Sequence, residues 1–161
     1  MAETRWLDDD QQRAWRKLVA VTMLLPAALD TQLQRDAELT HFAYLVLAML
    51  SETPGRALRM SQLAARANSS QSRLSHVVSR LEERGWVRRE RTAGDARGNL
   101  AVLTDGGYAK VVASAPGHVE AVRCYLFDSL TPAQVRQLDE ICAAALARLD
   151  PEGRMSLRPP E

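Results

Sequence analysis

Hydrophobic residues recur at steps of three and four over most of the chain, which is the spacing of a helix with one buried face. This pattern predicts helices at about residues 11–34, 41–51, 60–67, 71–84, 105–129 and 132–149. Two short segments, 86–91 and 99–103, are typical of paired strands, and residues 92–98 would join them as a hairpin loop. The chain is therefore predicted to be mainly α-helical with a small β-hairpin.

Capping residues support the predicted boundaries. Thr40, Ser70, Thr104 and Thr131 each precede a helical pattern and offer a side-chain oxygen to its first backbone N–H groups. Gly85 follows the fourth helix, where glycine is expected because it adopts the left-handed conformation that ends many helices. These residues predict four helix starts and one helix end.

Two of the helical patterns contain a helix breaker. Pro26 lies inside the first helix, and we expect it to kink that helix or divide it in two, because proline lacks a backbone donor and crowds the preceding turn. Pro116 and Gly117 lie inside the fifth pattern, where the helix is predicted to stop and to resume at His118.

The sixth helix carries an apolar seam at alternating steps of three and four, formed by Val135, Leu138, Cys142, Ala145 and Leu149. Such a seam suits a partner helix, as in a coiled coil. It would equally suit packing within the same chain, and the pattern alone leaves both arrangements open. Residues 150–161 contain three prolines and a glycine and are predicted to form a loose tail.

Positive charge is concentrated in the middle of the chain. The whole chain has a net charge of +1, but residues 56–97 contain ten arginines and four acidic residues, a net +6 that leaves −5 for the rest. A compositional bias explains the preference for arginine over lysine, but it does not explain the clustering. Clustered arginines favour contacts with phosphates and guanine edges, so the charge distribution points to nucleic acid.

The fourth helix has one apolar and one polar face. At 100° per residue, Leu74, Val77, Val78 and Leu81 point inward. The remaining face is small, polar or cationic: Gln71, Ser72, Arg73, Ser75, His76, Ser79 and Arg80. A solvated surface helix is the alternative, but such helices usually carry outward Glu and Lys, and this face has neither before Glu82. We therefore predict that this face meets base edges and phosphates in a DNA major groove.

The predicted hairpin loop has a cationic tip. Gly94 and Gly98 permit tight turns, and Arg97 stands between them, where it can enter a minor groove. Asp95 is predicted to hold a nearby arginine, Arg91 or Arg97, in a fixed rotamer. By itself this loop is equally consistent with an ordinary turn carrying incidental charges, and it gains weight from following a helix-turn-helix pattern directly.

Other classes of function find little support. No apolar run reaches the roughly 20 residues that span a bilayer, and the acidic first ten residues do not resemble a signal peptide, so we expect a cytoplasmic protein without membrane contact. The three histidines are far apart in the sequence and lack partners at catalytic or metal-ligand spacing. We predict no catalytic residues, no metal and no cofactor.

Three segments carry a resemblance to a known family: residues 80–89, residues 95–98 (Asp-Ala-Arg-Gly) and residues 103–107 (Leu-Thr-Asp-Gly-Gly). With Leu45-Val46-Leu47, they resemble the MarR family of bacterial winged-helix transcription regulators, over about residues 15–149. The resemblance implies a winged helix-turn-helix domain at about 41–104. It also implies a homodimer built by helices at about 11–36 and 105–149, within a single domain that covers residues 1–161.

The resemblance also implies function. A homodimer of this family binds a palindromic operator in double-stranded DNA, usually as a repressor that a small ligand or oxidation releases. Ser70 joins the residues that the resemblance places on the recognition helix, Arg97 falls on the minor-groove arginine of the wing, and Asp95 falls on its partner. The alternative is a winged-helix module that binds other proteins and has lost DNA binding.

Sensor chemistry is predicted to involve a small molecule. Four residues are candidates for a pocket for an aromatic or apolar effector: Trp15, Met23, His41 and Tyr44. Each of them would singly suit a core position as well. Cys124 and Cys142 lie in apolar patterns, and we expect both to be buried and to behave as small hydrophobic residues and not as redox sensors.

Overall fold

The computed structural model describes residues 3–91 and 99–155. Six α-helices follow in chain order: α1 (Asp9–Ala37), α2 (His41–Ser51), α3 (Met60–Arg66), α4 (Gln71–Glu83), α5 (Asp105–Tyr125) and α6 (Pro132–Leu149). Three strands complete the described part: β1 (Ala57–Arg59), β2 (Val87–Arg91) and β3 (Asn99–Leu103). The predicted class, mainly helical with a small β-hairpin, is confirmed. The wing residues Asp95 and Arg97 lie outside the described residues.

Side-chain caps fix the helix starts where the sequence predicted them. Thr40 Oγ1 accepts a hydrogen bond from the Ala43 N–H at 3.1 Å, and Ser70 Oγ accepts one from Arg73 N–H at 3.2 Å. Thr131 forms a reciprocal capping box with Gln134. These bonds satisfy N–H groups that the helices cannot satisfy internally.

Gly85 ends α4 in the left-handed conformation, with φ of 71°. Two backbone bonds close this end: Gly85 N–H to Glu82 O at 2.8 Å and Trp86 N–H to Leu81 O at 2.9 Å. The predicted glycine stop is therefore confirmed, and it turns the chain directly into β2.

The sheet has the order β1–β3–β2, and both pairings are antiparallel. In the hairpin, Val87 pairs with Leu103 and Arg91 with Asn99. The sequence analysis missed β1, which pairs Leu58 with Ala101 on the other edge of β3. Three residues are too few to give a periodic signal, and the partner of β1 lies more than 40 residues further along the chain.

The core lies where α2, α3, α4 and the sheet meet. Its largest side chains without solvent exposure are Leu33, Val46, Leu47, Leu50, Leu63, Leu74 and Val78, with Val87 2% exposed. These residues come from α1, α2, α3, α4 and β2. Burial of one such leucine contributes about 2 kcal/mol by transfer from water, so the core fixes the orientation of α4 firmly.

The prediction of an interruption at Pro116 and Gly117 is wrong, because α5 runs unbroken from Asp105 to Tyr125. Pro116 has no N–H, so the Val112 carbonyl lacks its helical hydrogen bond. Both residues are exposed, so water can replace the missing bond. Gly117 lies close to α1, where an added Cβ would be 3.4 Å from Gln32 Nε2. Packing against α1 thus holds the helix together. Pro26 likewise lies inside an undivided α1.

The first residues of the predicted tail form hydrogen bonds with Asp150. The Asp150 carboxylate accepts hydrogen bonds from the Arg154 N–H at 2.9 Å and the Met155 N–H at 2.8 Å. This arrangement forms a turn directly after α6. The remaining tail residues, 156–161, lie outside the described residues.

Candidate nucleic-acid interface

The two faces of α4 lie as the sequence predicted. Leu74, Val78 and Leu81 are buried and Val77 is partly buried. On the opposite face, six of the predicted DNA-contacting residues are exposed: Gln71, Ser72, Arg73, Ser75, His76 and Arg80. This face contains no acidic residue before Glu82, and it presents short donors and acceptors to the outside.

A tight turn holds α4 against α3. Leu63 and Ala64 of α3 and Ala67 at its end are buried, and the Ser69 N–H donates to Ala64 O at 2.9 Å. Asn68 adopts a left-handed conformation with φ of 43°, which short polar residues tolerate better than most. Two packed helices joined by such a turn form a helix-turn-helix unit, with α4 in the position of a recognition helix.

Two residues at the start of α4 have roles within the protein. The Ser70 hydroxyl oxygen is the helix cap and accepts a hydrogen bond from the Arg73 N–H, which leaves the hydroxyl hydrogen as its donor. The Arg73 guanidinium lies 4.5 Å from the centre of the Phe42 ring on α2. This stacking restricts the arginine rotamer and keeps its donors on the exposed face.

Arg89 on β2 joins the hairpin to α4, a role that the sequence analysis missed. Its Nη1 lies 3.2 Å from Glu82 Oε2, and its backbone N–H donates to Glu82 Oε1 at 2.9 Å. Its Nη2 donates to Ser75 O at 2.9 Å, Ser75 Oγ at 3.3 Å and Ser79 Oγ at 3.1 Å. Ser79 is half-buried against this arginine. The signal was present in the spacing, because residues 75, 79 and 82 share one edge of α4.

Two other arginines of the basic segment also have partners within the protein. Arg88 pairs with Glu90 on the same strand. Arg56 pairs with Asp105 at 3.1 Å and stacks 3.8 Å from the centre of the Tyr108 ring. The excess charge of the segment is therefore not evenly available, because Arg56, Arg88 and Arg89 are each paired with a carboxylate.

A second cluster lies where α1, α2 and α5 meet. His41 and Tyr44 of α2 approach His118 of α5, with ring centres 5.7 Å and 4.5 Å from it. His118 Nδ1 and the α1 atom Gln32 Oε1 are buried without a hydrogen-bond partner among the described residues. The sequence analysis predicted His41 and Tyr44 here but missed His118, because it expected α5 to stop just before that residue.

The other two residues predicted for the effector pocket lie elsewhere in the single chain. Trp15 is 57% exposed and Met23 is 69% exposed. Both belong to the first part of α1, whose buried residues begin only at Leu29. The chain by itself therefore brings two of the four predicted pocket residues together.

We expect the two clustered histidines to reduce stability in acid. Burial lowers the pKa of His41 and of His118 below the usual 6.5, so the native state keeps them neutral while the unfolded chain takes up protons. The free energy of unfolding then has its full value above pH 6.5 and decreases as the pH falls through 6.5 toward the lowered native values. Urea unfolding at about pH 7.5 and about pH 5.5 measures this difference.

His118→Gln is expected to flatten that pH dependence, and His76→Gln, on the exposed face of α4, is its matched control. The Asp36 carboxylate, whose pKa the Arg35 guanidinium lowers to about 2, acts in a more acidic window and leaves the comparison intact. An unchanged pH slope in His118→Gln would contradict this assignment.

The cysteine prediction is wrong for the single chain, because Cys124 and Cys142 are both exposed. Cys142 lies on α6, which contributes no buried residue to the protomer. The apolar pattern was real, but no surface within residues 3–91 and 99–155 buries it. Among the described residues, no group of three or more His, Cys, Asp or Glu is placed to hold a metal ion. None of the described helices is long and apolar enough to cross a bilayer.

Known proteins share this architecture. Sco3205, a MarR family transcriptional regulator from Streptomyces coelicolor solved in complex with DNA, is 49% identical and superposes with a TM-score of 0.87 over 92% of both chains. AbsC, a MarR family regulator from the same organism, is 41% identical with a TM-score of 0.84, over 91% of this chain and 98% of AbsC.

A model of the MarR family matches residues 38–98, and the transcriptional repressor MprA of Escherichia coli K12 is 25% identical over 107 residues. That alignment covers 66% of this chain and 60% of MprA. The identity and coverage shared with Sco3205 and AbsC extend well beyond the winged helix. The chain belongs to the MarR family of transcriptional regulators.

Proposed function

We propose that this protein is a homodimeric transcription regulator that binds a palindromic operator through α4, most simply as a repressor. One observation carries the proposal: α4 rests on buried Leu74, Val78 and Leu81 and presents an exposed face free of acidic residues up to Arg80. A rigid helix with that face fits a major groove. The crystal structure of Sco3205 in complex with DNA supports DNA binding by this chain. Neither the exposed face of α4 nor DNA binding requires catalytic residues. The regulator would act in the cytoplasm.

Open apolar surfaces on the terminal helices support the dimer. Large hydrophobic side chains are exposed on α1, α5 and α6, among them Leu18, Leu24, Val112, Val119, Ile141, Leu146 and Leu149. Monomeric soluble proteins rarely expose large apolar patches to water. We propose that a second copy covers them, with residues 11–36 and 105–149 as the dimerisation helices and 41–104 as the DNA-binding part. Two-fold symmetry then makes the operator palindromic, with α4 helices about 34 Å apart.

The junction of α1, α2 and α5 supports an effector site. The junction holds the His41, Tyr44 and His118 rings and, among the described residues, two buried polar atoms without hydrogen-bond partners, so a small aromatic or apolar molecule that carries a polar group would match its chemistry. Such a ligand would act by favouring a dimer in which the recognition helices are wrongly spaced. Candidate aromatic acids that bind the protein but leave operator affinity unchanged would contradict this role.

The proposed function is tested with duplexes that cover the promoter of the protein's own gene. Light scattering should give the mass of a dimer, and fluorescence anisotropy should show one dimer per palindromic duplex. A scrambled duplex of the same length is the control for specificity. A monomeric protein that binds no promoter duplex would contradict the proposal.

Arg97→Ala should weaken operator binding by about 1–3 kcal/mol, because the proposed wing loses its minor-groove cation. Arg5→Ala is the matched control, since it removes the same charge from an exposed position before α1. Anisotropy titrations of the two variants against wild type give the comparison. Equal affinities for all three proteins would remove the wing from the proposed interface.

A further inference from the structure

The side-chain hydrogen bonds of Arg89 all run from β2 to α4. Glu82 Oε2 lies 3.2 Å from Nη1 of the guanidinium. The backbone N–H of Arg89 donates to Glu82 Oε1 at 2.9 Å, and this bond fixes the carboxylate. Both side chains are only 29% exposed. The guanidinium therefore lies in a set position, and its Nη2 reaches Ser75 and Ser79.

A guanidinium can only donate hydrogen bonds, and it keeps its charge at any physiological pH. The hydroxyl oxygens of Ser75 and Ser79, at 3.3 Å and 3.1 Å from Nη2, must therefore accept. Because like partial charges repel, each hydroxyl hydrogen turns away from the arginine. Each hydroxyl keeps its hydrogen and one further lone pair, but a bond accepted from a cation makes it a stronger donor and a weaker acceptor.

Four helical hydroxyls elsewhere in this protein use their hydrogen internally. Those of Thr22, Thr31, Ser51 and Ser114 donate to a carbonyl three or four residues earlier. Within residues 3–91 and 99–155, the Ser75 and Ser79 hydroxyls donate to no protein group. Ser75 is exposed and Ser79 half-buried, so Ser75 is the one that DNA can reach.

We propose that Arg89 is a positioning residue that presents the Ser75 hydroxyl to DNA as a hydrogen-bond donor. The proposal rests on the proposed function and specifies its chemistry. Ser75 then selects an acceptor: a purine N7, a guanine O6, a thymine O4 or a phosphate oxygen. Cytosine is disfavoured opposite Ser75, because its major-groove edge offers only an N4–H₂ donor.

The test begins with selection of duplexes from a random library by the wild-type protein. Each position of the half-site is then changed to cytosine in turn. The affinity of each changed duplex is measured for wild type and for Ser75→Ala. The loss of affinity that cytosine causes, the cytosine penalty, should disappear in Ser75→Ala at the position that Ser75 contacts. We expect a wild-type penalty of about fivefold there, since one hydrogen bond discriminates less than a bidentate pair.

The double variant Glu82→Gln/Arg89→Gln tests the role of Arg89 without changing net charge. A glutamine amide both donates and accepts, so Ser75 can turn either way, and the fivefold penalty should fall to within about twofold. Arg88→Gln/Glu90→Gln removes a similar pair from the same strand and should keep the penalty. Arg89→Lys, which keeps a donor-only cation, should keep it as well.

A phosphate partner gives a different pattern that also supports the proposal. In that case Ser75→Ala and the Glu82→Gln/Arg89→Gln variant weaken binding to all sequences equally. A methylphosphonate at one linkage then weakens binding by wild type but adds nothing to the effect of Ser75→Ala. Either pattern assigns an acceptor to Ser75. A cytosine preference at the Ser75 position would overturn the proposal.

Two further outcomes separate the inference from the proposed function. Circular dichroism checks that the Glu82→Gln/Arg89→Gln variant is folded. If the folded variant keeps the cytosine penalty that Ser75→Ala loses, Arg89 does not position the Ser75 hydroxyl. If that variant unfolds, the single variant Arg89→Gln decides, and a full penalty kept by that variant while folded overturns the proposal. A wild-type protein that selects no duplex overturns the proposed function itself, and this inference with it.

Discussion

Gly107→Ala is expected to destabilise the protein by about 3 kcal/mol or more, the upper range of overpacking changes. A Cβ at this position would lie 2.1 Å from Trp86 O and 2.7 Å from Leu103 Cδ1. The Trp86 carbonyl cannot yield cheaply, because it accepts a hydrogen bond from the Thr104 N–H at 3.0 Å. Urea unfolding followed by circular dichroism, at one fixed protein concentration, measures the loss.

Gly106→Ala is the matched control, one residue earlier in the same helix. Its Cβ would meet Thr104 Oγ1 at 3.7 Å and Gly85 O at 3.8 Å, which are ordinary contacts. Alanine there should change stability by less than about 1 kcal/mol, in the stabilising direction. Similar effects of the two substitutions would contradict the close approach of α5 to the chain between α4 and β2.

The affinity for an operator duplex is expected to fall about 10³-fold or more between 50 and 200 mM salt. A dimer that places two α4 faces on DNA neutralises several phosphates, and each contact releases condensed counterions. The exposed cations on that face, with Arg73 held over the Phe42 ring, supply part of this charge. Anisotropy titrations at four or more salt concentrations, on selected and scrambled duplexes, give the slope of log affinity against log salt concentration.

The salt slope also separates the two functions that the sequence left open. A winged-helix module that binds other proteins would associate with little dependence on salt at this range. Arg80→Gln should reduce the slope by about one phosphate contact for each subunit of the dimer if Arg80 meets the backbone, whereas Arg5→Gln should leave it unchanged. A flat slope for wild type would favour the protein-binding alternative.

Local chemistry made much of the fold predictable. The start of α4 depends on Ser70, whose oxygen caps the helix at 3.2 Å, and its end depends on Gly85, whose φ is 71°. The buried stripe of Leu74, Val78 and Leu81 followed from angular spacing alone. These features involve residues within a few positions of each other, so no distant contact was needed to predict them.

Long-range contacts decided the features that the prediction missed. Strand β1 exists because Leu58 pairs with Ala101, and α5 continues through Pro116 because it packs along α1. His118 joins the cluster with Tyr44 only because that helix is unbroken. Propensities describe the isolated segment, and packing overrides them when the two disagree.

By itself, the sequence determined where the helices lie, which face of α4 is polar and that positive charge gathers around it, because helical periodicity, capping and charge are local properties of the chain. Only the tertiary structure decided how those charges are used. Whether an arginine is paired with a carboxylate, as Arg89 is with Glu82, or stacked on a ring, as Arg73 is on Phe42, depends on residues brought together by folding. The hydrogen-bonding character of Ser75 is set by the same distant contacts.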